Sequence, residues 1–130
     1  MNDILQTILY VEDDESIAEI TLLSLKEFGN FQVYHFYSGR EALEALPLVK
    51  PQLVLLDVMM PFMDGIETLK FIRQMPEGEN LPVIFMTARA QTHEQQRYLD
   101  LGAEAVIVKP FDPLSLSDQL NDMWDEIRAA

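Results

Sequence analysis

The chain has no cysteine, and only 9 lysines and arginines against 22 aspartates and glutamates. The first absence excludes disulfides and thiolate metal sites. The second leaves a net charge of -13. That argues against direct binding to nucleic acid or anionic lipid, because phosphate groups demand a cationic surface. No apolar run approaches the roughly 20 residues of a membrane-spanning helix, so no membrane insertion is expected. The N-terminal stretch MNDILQTILYVEDD lacks the basic region and long apolar core of a signal peptide. A cytoplasmic location is the expectation. What remains is a chain of 130 residues, 48% hydrophobic and 24% charged, with the composition of an ordinary globular protein and enough length for one proper core. It shows no repeat and no linker. Its last helical pattern runs to the final residues, so one domain over 1–130 with no attached output domain is expected.

Apolar runs alternate with amphipathic ones. Thr7-Ile8-Leu9-Tyr10-Val11 reads as a buried strand. A helix over 14–28 follows, with Ile17, Ile20, Thr21, Ser24, Leu25 and Phe28 at helical spacing and Gly29 at its end. Residues 31–36 alternate as an edge strand does. Ser38-Gly39-Arg40-Glu41 has capping-box spacing and opens a short helix, which Pro47 and Pro51 are expected to end. A strand over 53–57, a helix capped by Asp64, a strand over 81–87, a helix with capping-box spacing at Thr92 and a strand over 105–108 come next. Asp112-Pro113 is expected to place a cap and a first-position proline at the start of a last helix with the stripe Leu116, Leu120, Met123, Trp124 and Ile127. Five strands and five helices in strict alternation predict an α/β fold: a five-stranded parallel sheet flanked by five helices, in the common order 2-1-3-4-5.

In such a sheet, ligands bind beyond the carboxyl ends of the strands. Strand one ends in Glu12-Asp13-Asp14, strand three in Asp57, strand four in Thr87-Ala88-Arg89 and strand five in Lys109-Pro110-Phe111. With strands one and three as neighbours, Glu12, Asp13 and Asp57 converge. Three carboxylates together either protonate or hold a cation. Oxygen ligands suit a hard ion, and few protein ligands suit magnesium, Mg2+. Lys109 adds a fixed positive charge and Thr87 a hydroxyl donor. The set fits phosphoryl transfer to a carboxylate: an aspartate acts as nucleophile while a cation, a lysine and a hydroxyl take the phosphoryl oxygens. Asp14 and Asp64 read as helix caps. His35 and His93 lack a partner pattern for metal or nucleophilic work and read as structural or surface residues.

The segments ILYVEDDES, VLLDVMMPFMDG, PVIFMTARA and VIVKPF, in this order and spacing across essentially the whole chain, resemble the receiver domain of two-component response regulators, with its flavodoxin-like or CheY-like fold. The resemblance implies that Asp57 accepts a phosphoryl group from a histidine kinase or a histidine phosphotransfer protein. Mg2+ would be held by Glu12, Asp13, Asp57 and the main-chain carbonyl of Met59. Thr87 and Lys109 would bind the phosphoryl group, and the Lys109-Pro110 peptide is cis in many relatives. It implies a signalling switch that also removes its own phosphoryl group, not an enzyme acting on a separate substrate. Downstream proteins would be met by the last two helices and strand five.

One residue departs from the pattern. Relatives usually carry tyrosine or phenylalanine three residues before the lysine, and here that position is Val106. Valine cannot perform the ring rotation that couples the threonine to the surface. Tyr98, Phe111 and the loop after Thr87 are the candidates to carry that change instead, with a loosely anchored fourth helix. The departure also sustains an alternative reading, a phosphorylation-independent interaction module with the receiver fold. An aspartate-nucleophile phosphatase or a flavin carrier fits less well. The candidate nucleophile follows strand three rather than strand one, and Glu12-Asp13-Asp14 would repel a flavin phosphate.

Overall fold

The computed structural model describes residues 4–89 and 91–130. The strands are β1 (Thr7–Val11), β2 (Gln32–Phe36), β3 (Leu53–Asp57), β4 (Val83–Thr87) and β5 (Ala105–Val108). The helices are α1 (Glu15–Leu23), α2 (Gly39–Val49), α3 (Gly65–Gln74), α4 (Thr92–Asp100) and α5 (Leu116–Ala129). The strands form one parallel sheet in the order β2-β1-β3-β4-β5, as the alternation predicts. Among the described residues no helix is long and apolar enough to cross a membrane.

The two-residue period of the strands divides the core between the faces of the sheet. Leu9, Val11, Val54, Leu56, Val83 and Phe85 meet Ala42 and Leu46 of α2, Leu69 and Ile72 of α3 and Tyr98 of α4. Ile8, Tyr10, Leu53, Leu55, Ile84, Met86 and Ile107 meet Ala18 of α1 and Leu116, Leu120 and Trp124 of α5, with Leu25 just beyond α1. Every residue of β3 and β4 is buried. This is why both read as unbroken apolar runs rather than alternating ones.

Three helix readings are corrected. In α1 the buried positions are Ala18 and Thr21, continued by Ser24 and Leu25 in a π-helical turn over Ser24–Phe28, whereas Ile20 and Phe28 are exposed. Polar residues can take the inner stripe because their hydroxyls are satisfied by main-chain oxygens: Thr21 donates to Ile17 O at 2.7 Å, and Ser24 donates to Pro113 O. The helix α2 continues through Pro47 to Val49. Only its last turn lies beyond the proline, so a single intrahelical bond is lost, and Lys50 closes the helix in the left-handed region with its N–H on Leu46 O. In α4, Thr92 is the first helical residue and Gln91 the cap residue, with no side-chain cap bond, so no capping box forms there.

Other caps stand as read. Asp14 accepts from Ile17 N at 3.0 Å, Ser38 from Glu41 N at 3.2 Å and Asp64 from Glu67 N at 2.9 Å. The last cap does not: α5 starts at Leu116 with Ser115 as its cap residue and no side-chain cap bond, so Pro113 is not its first residue, and Asp112 instead accepts from Leu114 N at 3.0 Å in the turn before the helix.

Candidate functional site

Register alone brings the strand ends together. Val11 pairs with Leu56, so Glu12 follows beside Asp57. Asp57 pairs with Met86, so Thr87 is the next residue across. Thr87 pairs with Val108, so Lys109 emerges at the same edge, its N–H on Thr87 O at 2.8 Å. Glu12, Asp57 and Thr87 are buried. A hollow of about 280 Å³ opens over them, lined by Glu12, Asp13, Asp14, Ile17, Asp57, Met59, Ala88 and Lys109. The Lys109-Pro110 peptide is cis. An apolar groove of about 350 Å³, lined by Ile17, Ile20, Pro110, Phe111 and Pro113, adjoins the hollow and shares Ile17, Ala88 and Lys109 with it.

The ammonium of Lys109 bridges the two buried carboxylates, 2.7 Å from Glu12 Oε1 and 3.1 Å from Asp57 Oδ1. Burial, followed by the hydrogen bond and charge of Glu12, pushes the Asp57 carboxyl up to about 7, against the opposing pull of Lys109. Burial works to lower Lys109. The hydrogen bond to Glu12 and the charges of Asp57 and Glu12 outweigh it and hold the lysine above its ordinary value. The site thus holds more negative charge than one lysine can match.

Asp13 is exposed at the rim. Glu12, Asp13 and Asp57 each offer one carboxylate oxygen, all within 4.8 Å of one another. Hard oxygen donors at this spacing, with unmatched negative charge, fit a small divalent cation that keeps several of its own waters. Met59 lines the hollow and is largely exposed.

The site rests on a close backbone approach. Gly65 begins α3 with its N–H on Val58 O at 2.8 Å, and a Cβ there would stand 2.5 Å from Asp57 O and 2.8 Å from Val58 Cα. Only glycine fits without moving the end of β3.

Of the sequence-predicted residues, Glu12, Asp13, Asp57, Met59 and Lys109 line the hollow, and Thr87 is buried next to its lining residue Ala88. Thr87 ends β4 with its hydroxyl accepting from Arg89 N–H at 3.0 Å. The Arg89 guanidinium in turn pairs with Glu94 in the first turn of α4 at 3.1 Å. The sequence reading gave that pair no role, because it depends on how the loop closes. Part of that loop, Ala90, lies outside the described residues. His35 is half-buried between the rings of Tyr10 and Tyr37, with Nε2 3.0 Å from Glu12 O, which agrees with its structural reading. The hydroxyl of Tyr10, in the layer beneath Glu12, was also missed. Only the β1–β2 register reveals that Tyr10 and His35 are neighbours.

Comparison with known proteins agrees with this geometry. Residues 8–121 match the family model described as response regulator receiver domain. The phosphate regulon transcriptional regulatory protein PhoB of Rhizobium meliloti is 38% identical over 119 residues, which are 92% of this chain and 52% of that protein. The transcriptional regulatory protein DltR of Streptococcus agalactiae is 40% identical over 105 residues, 81% of this chain and 46% of that protein. The chain therefore spans about half the length of these curated relatives. Among solved structures, a response regulator of Chloroflexus aurantiacus superposes with a TM-score of 0.83 at 30% identity, covering 93% of this chain and 98% of that one. The chemotaxis protein CheY4 of Vibrio cholerae gives 0.83 at 28% identity, with 92% and 98% covered.

Proposed function

The chain belongs to the response regulator receiver domain family, and from that premise we propose that it is a two-component signalling switch whose phosphoacceptor is Asp57. The observation that carries this is the bridge from Lys109 to both Glu12 and Asp57 at the floor of an acidic hollow. In the proposed step an Asp57 carboxylate oxygen attacks phosphorus. The phosphorus–nitrogen bond of a phosphohistidine on a histidine kinase or phosphotransfer protein breaks, and the imidazole keeps the electron pair. Glu12, Asp13, Asp57 and the Met59 carbonyl would hold Mg2+, which supplies charge neutralisation for the phosphoryl oxygens. Lys109 turns from its carboxylate partners to the incoming oxygens, and Thr87 donates its hydroxyl to another. Attack by water on the same phosphorus returns Asp57 to its carboxylate, so the chain ends its own signal.

The apolar groove beside the hollow supports docking of a phosphodonor protein, because it offers buried contact area next to the reacting group. On the output side, α4, β5 and α5 form the proposed face for a downstream protein. The formal charge of -13 supports a protein target over nucleic acid for this domain. A cytoplasmic setting, a domain that works alone and the roles of all these residues belong to the same proposal.

The test is intact mass after incubation with a small phosphodonor and Mg2+, run beside Asp57→Asn. The expected result is a Mg2+-dependent, hydroxylamine-labile gain of one phosphoryl group that the variant lacks. A gain of equal size in Asp57→Asn would remove Asp57 as acceptor. No gain even from a histidine phosphotransfer donor would favour the phosphorylation-independent module that Val106 leaves open.

A further inference from the structure

Tyr10 and Glu12 lie two residues apart at the end of β1, so strand alternation sends both side chains to the same face of the sheet. The Tyr10 ring is wholly buried, 0% exposed, and packs 5.2 Å from the His35 ring. Its hydroxyl is the one buried side-chain nitrogen or oxygen among the described residues without a hydrogen-bond partner. A buried phenol ordinarily finds a partner, and phenylalanine would fill the same space without a polar atom. The groups that bear on the hydroxyl are the Thr21 hydroxyl and the carboxylates of Glu12 and Asp57. Thr21 spends its own proton on Ile17 O.

The partners of Glu12 explain when the phenol is needed. Glu12 Oε1 is held by Lys109 at 2.7 Å, and Oε2 receives only a long bond from Asp14 N–H at 3.3 Å. Loading the hollow with a cation and a phosphoryl group draws the Lys109 ammonium towards the new oxygens. Glu12, itself 1% exposed, would then give one carboxylate oxygen to the cation, while its other oxygen is left without a short bond where solvent cannot supply one. The buried donor on its own face of the sheet is Tyr10.

We propose that Tyr10 is a positioning residue of this site: its hydroxyl donates to the Glu12 carboxylate in the loaded state and holds Glu12 in place after Lys109 has turned away. The inference rests on the receiver reading above. It makes the empty and loaded states differ by one hydrogen bond.

The test uses Tyr10→Phe in the full chain, with Mg2+ and beryllofluoride as phosphoryl mimic. Two readouts are taken: the denaturant midpoint of the metal-free protein, and the affinity for beryllofluoride in saturating Mg2+ by calorimetry. Tyr10→Phe is expected to be at least as stable as wild type without metal, and to bind the mimic about tenfold more weakly, the loss of one hydrogen bond to a charged group. Thr21→Val is expected to keep wild-type affinity. An unchanged affinity in Tyr10→Phe overturns the proposal. So does an equal loss of stability with and without ligands, which would show the hydroxyl already bonded in the empty state. If Thr21→Val reproduces the loss, the hydroxyl works through Thr21 and the proposal falls. A wild type that binds neither Mg2+ nor the mimic defeats the receiver reading itself, and this inference with it.

Discussion

Replacing Asp57 by asparagine removes a charge that the metal-free fold disfavours, so the variant should be more stable than wild type, and increasingly so as pH rises. Burial and Glu12 raise the Asp57 pKa from 3.8 to about 7. Well below the unfolded value of 3.8 the carboxyl is protonated in both folded and unfolded chains, and the site contributes no penalty. As pH rises the unfolded chain ionises first and the folded one lags. Stability present at low pH is therefore lost up to about pH 7, where the penalty levels off. A shift of roughly three units, at about 1.4 kcal/mol each, sets an upper bound of about 4 kcal/mol. Asparagine keeps an acceptor for Lys109 but carries no charge, so this pH-dependent loss disappears. The assay is urea denaturation in a chelator at intervals from pH 4 to 8. The gain of Asp57→Asn over wild type should grow across that window, by at least ~1 kcal/mol. Added Mg2+ should then stabilise wild type more than the variant, because the cation favours the ionised carboxylate. A stability difference that stays flat from pH 4 to 8, or a variant less stable than wild type at pH 8, would refute the reasoning.

Two further outcomes follow from the packing. Gly65→Ala places a Cβ against main-chain atoms of Asp57 and Val58, which cannot step aside as a side chain can; a loss of about 1–3 kcal/mol is expected in denaturation, with weaker Mg2+ binding by calorimetry, and an unperturbed variant would show that the end of β3 is free to move. In α4 the buried residue is Tyr98, and the first turn has no side-chain cap, so its amides should exchange with solvent faster than those of α3 and change protection on phosphorylation; identical exchange before and after would exclude α4 as the moving part.

The sheet and the acidic site were legible because their signals are local. A carboxylate after Leu53-Val54-Leu55-Leu56 marks a strand end, and four such ends in a parallel sheet must share one edge. The misread features were those decided by hydrogen-bond partners and burial that the local apolar pattern does not show. Thr21 and Ser24 read as no more inward than Ile20 and Phe28, yet the hydroxyls find main-chain acceptors, one of them in Pro113, and the apolar pair faces solvent. Pro47 reads as a helix end because its local effect is disruptive, but buried Leu46 anchors the turn around it and one lost bond does not outweigh that burial. The unpaired hydroxyl of Tyr10 is beyond sequence reasoning, since an absent partner shows only when every neighbour has a position.

The departure at Val106 narrows in the same way. Of the two aromatic candidates to replace the missing ring, Tyr98 packs with Val106 on the α2–α4 face of the sheet, edge-on to Phe85 with centroids 5.4 Å apart. Phe111 packs with the core on the opposite face. A movement of Thr87 reaches α4 through Arg89, whose N–H meets the Thr87 hydroxyl and whose guanidinium meets Glu94. Under the proposed function, drawing the Thr87 hydroxyl towards a phosphoryl group would strain the link to the first turn of α4, with Tyr98 the buried residue that the helix would turn on. The exposed Arg89–Glu94 pair contributes on the order of 0.2–1 kcal/mol, enough to bias a helix so lightly held but too little to lock it.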